Sequence, residues 1–155
     1  MAETGNLGAV GEMLCESMRL ALNLAHEAAQ DGEVPVGAVV VGPDGAVLGR
    51  GRNLREHGGD PLAHAEVEAM RQAAATQGNW NLADCTLVVT LEPCPMCAAA
   101  SCWAQVGRIV YGALDPKRGY SLFSPSLLHP KTEVVPGVLA ETCGGMVSEF
   151  FRKKR

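Results

Sequence analysis

Thr86-Leu87-Val88-Val89-Thr90-Leu91-Glu92-Pro93-Cys94-Pro95-Met96-Cys97 is a short apolar run that ends abruptly in two prolines. The run Thr86 to Thr90, within Asp84 to Leu91, predicts a buried strand. Pro93 and Pro95 follow it, and proline suits the first turn of a helix because its missing N–H would have no partner there. The alanine-rich stretch from Pro95 to about Gln105 is therefore predicted to be helical. A strand feeding directly into a helix is the unit of an α/β fold, whose ligand sites gather at strand ends where helices begin.

The rest of the chain repeats this alternation. From about Glu12 to Gln30, Leu14, Met18, Leu22, Ala25 and Ala29 recur every three or four residues, one buried helical face. Asp31-Gly32 ends that helix. Val34 to Val41 and Ala46 to Arg52 flank the turn Gly42-Pro43-Asp44-Gly45 and read as a hairpin. Asn53 to Leu62 is a polar loop, and Ala63 to Gln77 a helix. Downstream come a strand at Arg108 to Tyr111, a loop rich in Pro, Gly and Ser from Asp115 to Lys131, a short strand at Thr132 to Val135, and a closing helix from Val138 to Arg155. No repeat, linker or low-complexity stretch divides the chain, so residues 1–155 read as one domain. The order predicts an α/β fold with a sheet covered by helices on both faces.

Composition excludes several classes. Apolar residues make up 47% and charged residues 19%, which fits a globular core and not a disordered chain. Every apolar run is far shorter than the ~20 residues of a membrane span. Met1 to Asn6 lacks a positive n-region and a signal core, so a cytoplasmic, non-membrane protein is expected. In that setting the six cysteines are thiols or metal ligands and not disulfides. The net charge is −4, and the last four residues, Arg152, Lys153, Lys154 and Arg155, carry +4, leaving −8 on the body. Such a tail suits local contact with phosphate, or equally the favourable end of a helix dipole.

Two segments carry chemistry: His64-Ala65-Glu66 and Pro93-Cys94-Pro95-Met96-Cys97, each opening a predicted helix. Cys94 and Cys97, three apart on one helical turn, can face a single ion, and a helix N-terminus favours thiolates. With His64 they form an S₂N zinc set that leaves the fourth position to water. Zinc lowers the pKa of bound water from ~15.7 towards ~7. Glu66, two residues from His64, can move protons without ligating the metal. Alone, either segment is a weak signal; together and in this order they match the signature of zinc-dependent nucleobase deaminases. Cys15, Cys85, Cys102 and Cys143 lack ligand spacing and are expected to be buried packing residues. His26, His57 and His129 are expected on the surface or in loops.

With these residues in hand, the chain resembles the bacterial tRNA-specific adenosine deaminases of the cytidine deaminase-like superfamily. The resemblance runs through Glu33-Val34-Pro35-Val36-Gly37-Ala38, Gly51-Arg52-Asn53, Asp60-Pro61-Leu62-Ala63-His64-Ala65-Glu66 and Thr90-Leu91-Glu92-Pro93-Cys94. It continues through Val110-Tyr111-Gly112-Ala113, Asp115-Pro116-Lys117, Gly137-Val138-Leu139-Ala140-Glu141 and Phe150-Phe151-Arg152. It implies a three-layer α-β-α fold around a mostly five-stranded sheet, and deamination of the wobble adenosine of a tRNA anticodon to inosine by a homodimer with one zinc per subunit. It implies that His64, Cys94 and Cys97 hold zinc and that Glu66 shuttles protons. Asn53 and Val36 would meet the flipped-out nucleotide. Asp115, Lys117, Phe150, Phe151 and Arg152 would contact the anticodon loop.

Pro95-Met96 also occurs in guanine deaminases of the superfamily. Ser101-Cys102-Trp103 and the segment Gly119 to Thr132 depart from the common form. A free-base or nucleoside deaminase, acting on guanine or cytosine with the same zinc chemistry, therefore stands beside the RNA reading. A structural zinc module is a third possibility, to which the presence of Glu66 and the open fourth ligand position are opposed.

Overall fold

A computed structural model of the chain describes residues 8–154; Met1–Leu7 and Arg155, and with them the N-terminal reading and the last basic residue, lie outside the described residues. Its elements are α1 (Gly8–Gln30), β1 (Gly37–Val41), β2 (Val47–Arg52), α2 (Arg55–Gly58), α3 (Ala65–Gln77), β3 (Thr86–Leu91), α4 (Pro95–Trp103), β4 (Arg108–Ala113), β5 (Glu133–Pro136) and α5 (Ala140–Lys154). The five strands form one mixed sheet in the order β2-β1-β3-β4-β5. β1 runs antiparallel to β2 and β3, whereas β3, β4 and β5 are parallel.

Alternate residues of the central strands explain the three layers. Ala38, Val40, Leu87, Val89, Ile109 and Tyr111 pack with Ala65, Ala69, Met70 and Ala73 of α3 and Ala98 of α4. Their neighbours Val39, Val41, Val88 and Val110 pack on the other face with Leu14, Met18 and Ala21 of α1 and Cys143 of α5. A strand sandwiched in this way needs apolar residues at every position, which is why these strands read as unbroken runs and not as alternation. Helices cover both faces, as expected. No helix among the described residues is long and apolar enough to cross a membrane.

The element boundaries differ from the sequence reading for local reasons. β1 begins at Gly37 and not Val34, because Pro35 has no N–H to give and the Val34 carbonyl is taken by Val36 N and Asn53 Nδ2. α1 begins at Gly8, four residues earlier than its apolar face suggests. α4 stops at Trp103 because Gln105 adopts a positive φ of 59°, and α5 starts at Ala140 because Leu139 does the same at 53°. The polar stretch after Asn53 is not wholly loop: Arg55–Gly58 forms a turn of helix. Short 3₁₀ turns at Tyr120–Leu122 and Pro125–Leu127 interrupt the Asp115 to Lys131 segment.

At the β2 edge, Arg50 N donates to Gln72 Oε1 of α3 at 2.7 Å, and Arg52 pairs with Asp31 at 2.8 Å. At the β5 edge, the strand is four residues long and ends in Pro136.

Candidate active site

Two helix N-termini meet beside the C-terminal ends of β3 and β4. His64 is the residue before α3 and Cys94 the residue before α4; both have extended backbones (φ −83°, ψ 150° and φ −72°, ψ 170°). Pro95 opens α4, and Cys97 lies in its first turn. The chain turns sharply at these residues, so their side chains project from the helix ends where backbone N–H groups concentrate.

His64 Nδ1 lies 3.6 Å from Cys94 Sγ and 3.4 Å from Cys97 Sγ, and the three donor atoms all fall within 4.8 Å of one another. Tetrahedral zinc with ordinary bond lengths places a nitrogen and a sulfur ligand about 3.6 Å apart. The donor set and its spacing therefore fit zinc. Electrostatics point the same way. The hydrogen bond from Cys97 brings the Cys94 thiol down to about 4, with His64 adding to the effect against burial. The same bond, with burial, pushes Cys97 up, and the bond to Cys94 raises His64. The two sulfurs thus compete for one proton, a conflict that a divalent cation resolves by accepting both as thiolates.

Glu66, in the first turn of α3, is buried. Burial pushes its carboxyl up to about 7, helped by the charge of Cys94 and opposed by its own backbone N–H. A carboxyl with no fixed charge preference near neutrality can both take and return a proton.

These groups open onto a cleft of about 770 Å³. Val36, Asn53, Asp115, Lys117 and Phe151 line it together with His64, Glu66 and Cys94. Asn53 is buried, its Nδ2 gives a 3.4 Å hydrogen bond to the Val34 carbonyl, and its Oδ1 has no partner among the described residues. Because a carbonyl can only accept, Val34 fixes which amide atom faces it and leaves Oδ1 as a free acceptor for a ligand N–H or O–H. Asp115 Oδ1 accepts from the N–H groups of Lys117 and Arg118, both at 3.0 Å, which shapes the turn that carries the two cations.

Phe150 and Arg152 are not among the described residues lining the cleft. Phe150 stacks edge-on against Phe151, with ring centroids 5.3 Å apart, and lies under Lys154 Nζ at 5.1 Å. Arg152 Nε donates to Glu149 Oε2 at 2.9 Å, and Lys153 lies 3.9 Å from the same carboxylate. Cys15, Cys85 and Cys143 are buried as expected, but Cys102 is only half-buried, because α4 turns that side outward next to exposed Trp103. Arg55, Glu92 and Arg118 also line the cleft and were not singled out from the sequence. Arg118 adjoins the quoted Asp115-Pro116-Lys117 and could have been read with it; Glu92 lies inside the quoted Thr90-Leu91-Glu92-Pro93-Cys94 but was assigned no role there, and Arg55 carries no signal outside the folded arrangement.

The comparisons with known proteins agree with this geometry. Residues 12–113 match the model of the cytidine and deoxycytidylate deaminase zinc-binding region. The tRNA-specific adenosine deaminase of Bacillus subtilis (strain 168) is 46% identical over 143 residues, 89% of this chain and 88% of that protein. A Deinococcus radiodurans protein named tRNA(Ile)-lysidine synthase is 54% identical over 114 residues, 74% of this chain, but the match spans only 20% of that longer protein. A solved structure from studies of A-to-I editing by tRNA:A34 deaminases at the wobble position superimposes with a TM-score of 0.78. It is 38% identical, and the match covers 84% of this chain and 98% of the other. The chain belongs to the cytidine and deoxycytidylate deaminase family, in which its relatives include tRNA-specific adenosine deaminases.

Proposed function

We propose that this protein converts the wobble adenosine of a tRNA anticodon to inosine, replacing the exocyclic amine with oxygen from water and releasing ammonia. The observation that carries the reading is the cluster of His64, Cys94 and Cys97 beside a cleft that His64, Cys94, buried Glu66, Arg55, Lys117 and Arg118 line. Metal chemistry at the cluster suits the base, and the three cations suit the phosphates on either side of it. The tRNA deaminase relatives support the same substrate.

His64, Cys94 and Cys97 hold one zinc ion per subunit, which supplies the Lewis acidity that makes water nucleophilic at neutral pH. Glu66 takes one proton of the attacking water and delivers it to the purine ring nitrogen; it then takes the second from the new C6 hydroxyl and gives it to the amine, which leaves as ammonia as the C6–N bond breaks and the carbonyl forms. Asn53 Oδ1 accepts from the flipped-out nucleotide, Val36 and Phe151 pack against it, and Asp115 orders the turn bearing Lys117 and Arg118. Phe150 and Arg152 meet the anticodon loop from α5, outside the cleft proper. The enzyme works in the cytoplasm with its tRNA, as a homodimer; Trp103 on α4, 83% exposed, is apolar area that a second copy would cover.

The second reading is a deaminase of a free base, favoured by the net charge of −4. The deciding experiment incubates zinc-loaded protein with an anticodon stem-loop carrying a wobble adenosine, and separately with guanine, cytosine and adenosine. Inosine in the stem-loop with little turnover of the small molecules is the expected result. Turnover of a free base with an untouched stem-loop would overturn the RNA reading and leave the metal chemistry standing.

A further inference from the structure

Glu92 lies between the last residue of β3 and the metal-binding segment, two residues before Cys94, and is buried. One of its oxygens accepts from Asp115 N at 3.1 Å; the other accepts from Ser121 N at 3.0 Å and Ser121 Oγ at 2.6 Å. Among the described residues it makes no ion pair with Lys or Arg. All three donors come from the single loop that leaves β4. The backbone adds two more ties, Glu92 N to Ala113 O at 2.8 Å and Tyr120 N to Pro93 O at 2.9 Å. The loop therefore wraps the carboxylate, and it closes so tightly that a Cβ on Gly119 would overlap Glu92 Oε1. Between the tie points lie Leu114, Asp115, Pro116, Lys117 and Arg118, all lining the cleft.

A buried carboxylate is costly unless its acceptor sites are filled, and here every filling donor is supplied by the loop. The bonds are charge-assisted and hold the loop's two ends. On the reading of the protein as an RNA deaminase, we propose that Glu92 is a positioning residue that locks segment 114–118 against the metal-ligand segment and thereby sets how tightly substrate is held. Glutamine at this position has the same shape but a single acceptor oxygen, so its amide nitrogen must face either the Asp115 or the Ser121 N–H.

The test uses full-length, zinc-loaded wild type, Glu92→Gln and Gly119→Ala. Trypsin cleavage after Lys117 or Arg118 reports whether the loop is held, and KM and kcat are measured on the wobble-adenosine stem-loop. Both variants are expected to keep their zinc and to be cut faster at the loop. Their KM should rise about tenfold, the loss expected of one charge-assisted bond, while kcat changes much less. Gly119→Ala disturbs the same contact from the other side, so it decides the matter if Glu92→Gln fails to fold. Unchanged cleavage and KM would overturn the proposal, as would loss of zinc and kcat with KM preserved, which would assign Glu92 to the metal segment instead. If wild type leaves the stem-loop untouched, the RNA reading fails alone. Cleavage rates, with KM on whichever base is turned over, then still decide the role of Glu92.

Discussion

A methyl group on Gly51 would overlap the carbonyl oxygen of Ala65, the first residue of the helix that carries Glu66, and would lie 2.7 Å from Ala69 N. The strand and the helix that carries Glu66 thus touch backbone to backbone. Gly51→Ala forces α3 away from the sheet and is expected to cost about 2 kcal/mol, as overpacked sites do. A chain of this size then melts about 4–8 °C lower. Thermal melts by circular dichroism check this, and an unchanged melting temperature would contradict such close packing.

Glu66→Gln removes the proposed proton carrier while keeping the side chain's volume in its buried site. The variant is expected to retain zinc and fold, and to lose turnover by at least about a hundredfold, at the lower end of what a general acid–base contributes. Metal analysis beside an inosine assay tests it; a variant that still turned over at the wild-type rate would remove Glu66 from the mechanism.

Cys94→Ala deletes one of the three proposed ligands and leaves His64 and Cys97 without a closed set. Zinc content should fall well below one equivalent, and the melting temperature of the wild type treated with chelator should fall towards that of the variant, since metal binding contributes folding free energy. Full metal occupancy in the variant would show that the cluster is not the site.

Glu33 is a buried carboxyl that accepts from the backbone N–H of His57 at 2.7 Å and of Glu56 at 3.2 Å, with His57 Nδ1 at 3.3 Å. Burial alone would raise its pKa, but these bonds outweigh it and leave it below 4.5. The folded state thus binds the proton less readily than the unfolded chain. The stability this contributes is present above pH 4.5 and is lost as pH falls through the folded-state value. Denaturant melts of wild type and Glu33→Gln from pH 7 down to pH 3 should converge; curves separated by a constant gap would refute the linkage.

Lys117 and Arg118 face the cleft, whereas Arg152 and Lys153 are partly neutralised by Glu149. Replacing Lys117 and Arg118 together with Ala should reduce the slope of log K against log salt for RNA binding by about 0.7 per cation. Truncating residues 152–155 should weaken RNA binding and flatten that slope too, but by less. Filter binding at several salt concentrations measures both, and the reverse ranking would move the main phosphate contacts to α5.

The metal site was legible in the sequence because its chemistry is local: His64 and Glu66 share one turn, and Cys94 and Cys97 another. The three layers were legible because doubly covered strands must be apolar throughout. The strand order was not, since nothing in β1 states that it pairs with β3 as well as β2. Glu33 and Glu92 fall within stretches that carry the resemblance, but nothing in their immediate neighbours marks them as buried; the return of segments 56–57 and 115–121 reveals them as buried anchors. The α2 turn is stabilised by Glu33, more than twenty residues away, so its own composition could not announce it.

The margins of the sheet have a further consequence. A free strand edge is a template on which other chains can polymerise. On β2, the Gln72 side chain occupies the Arg50 N–H, and Arg50 and Arg52 place charge along that border. On β5, Glu133 stands at one end and Pro136, which has no N–H to offer, at the other. Neither border offers an unbroken row of free backbone groups, so strand-by-strand addition of further chains is disfavoured at both margins of the sheet.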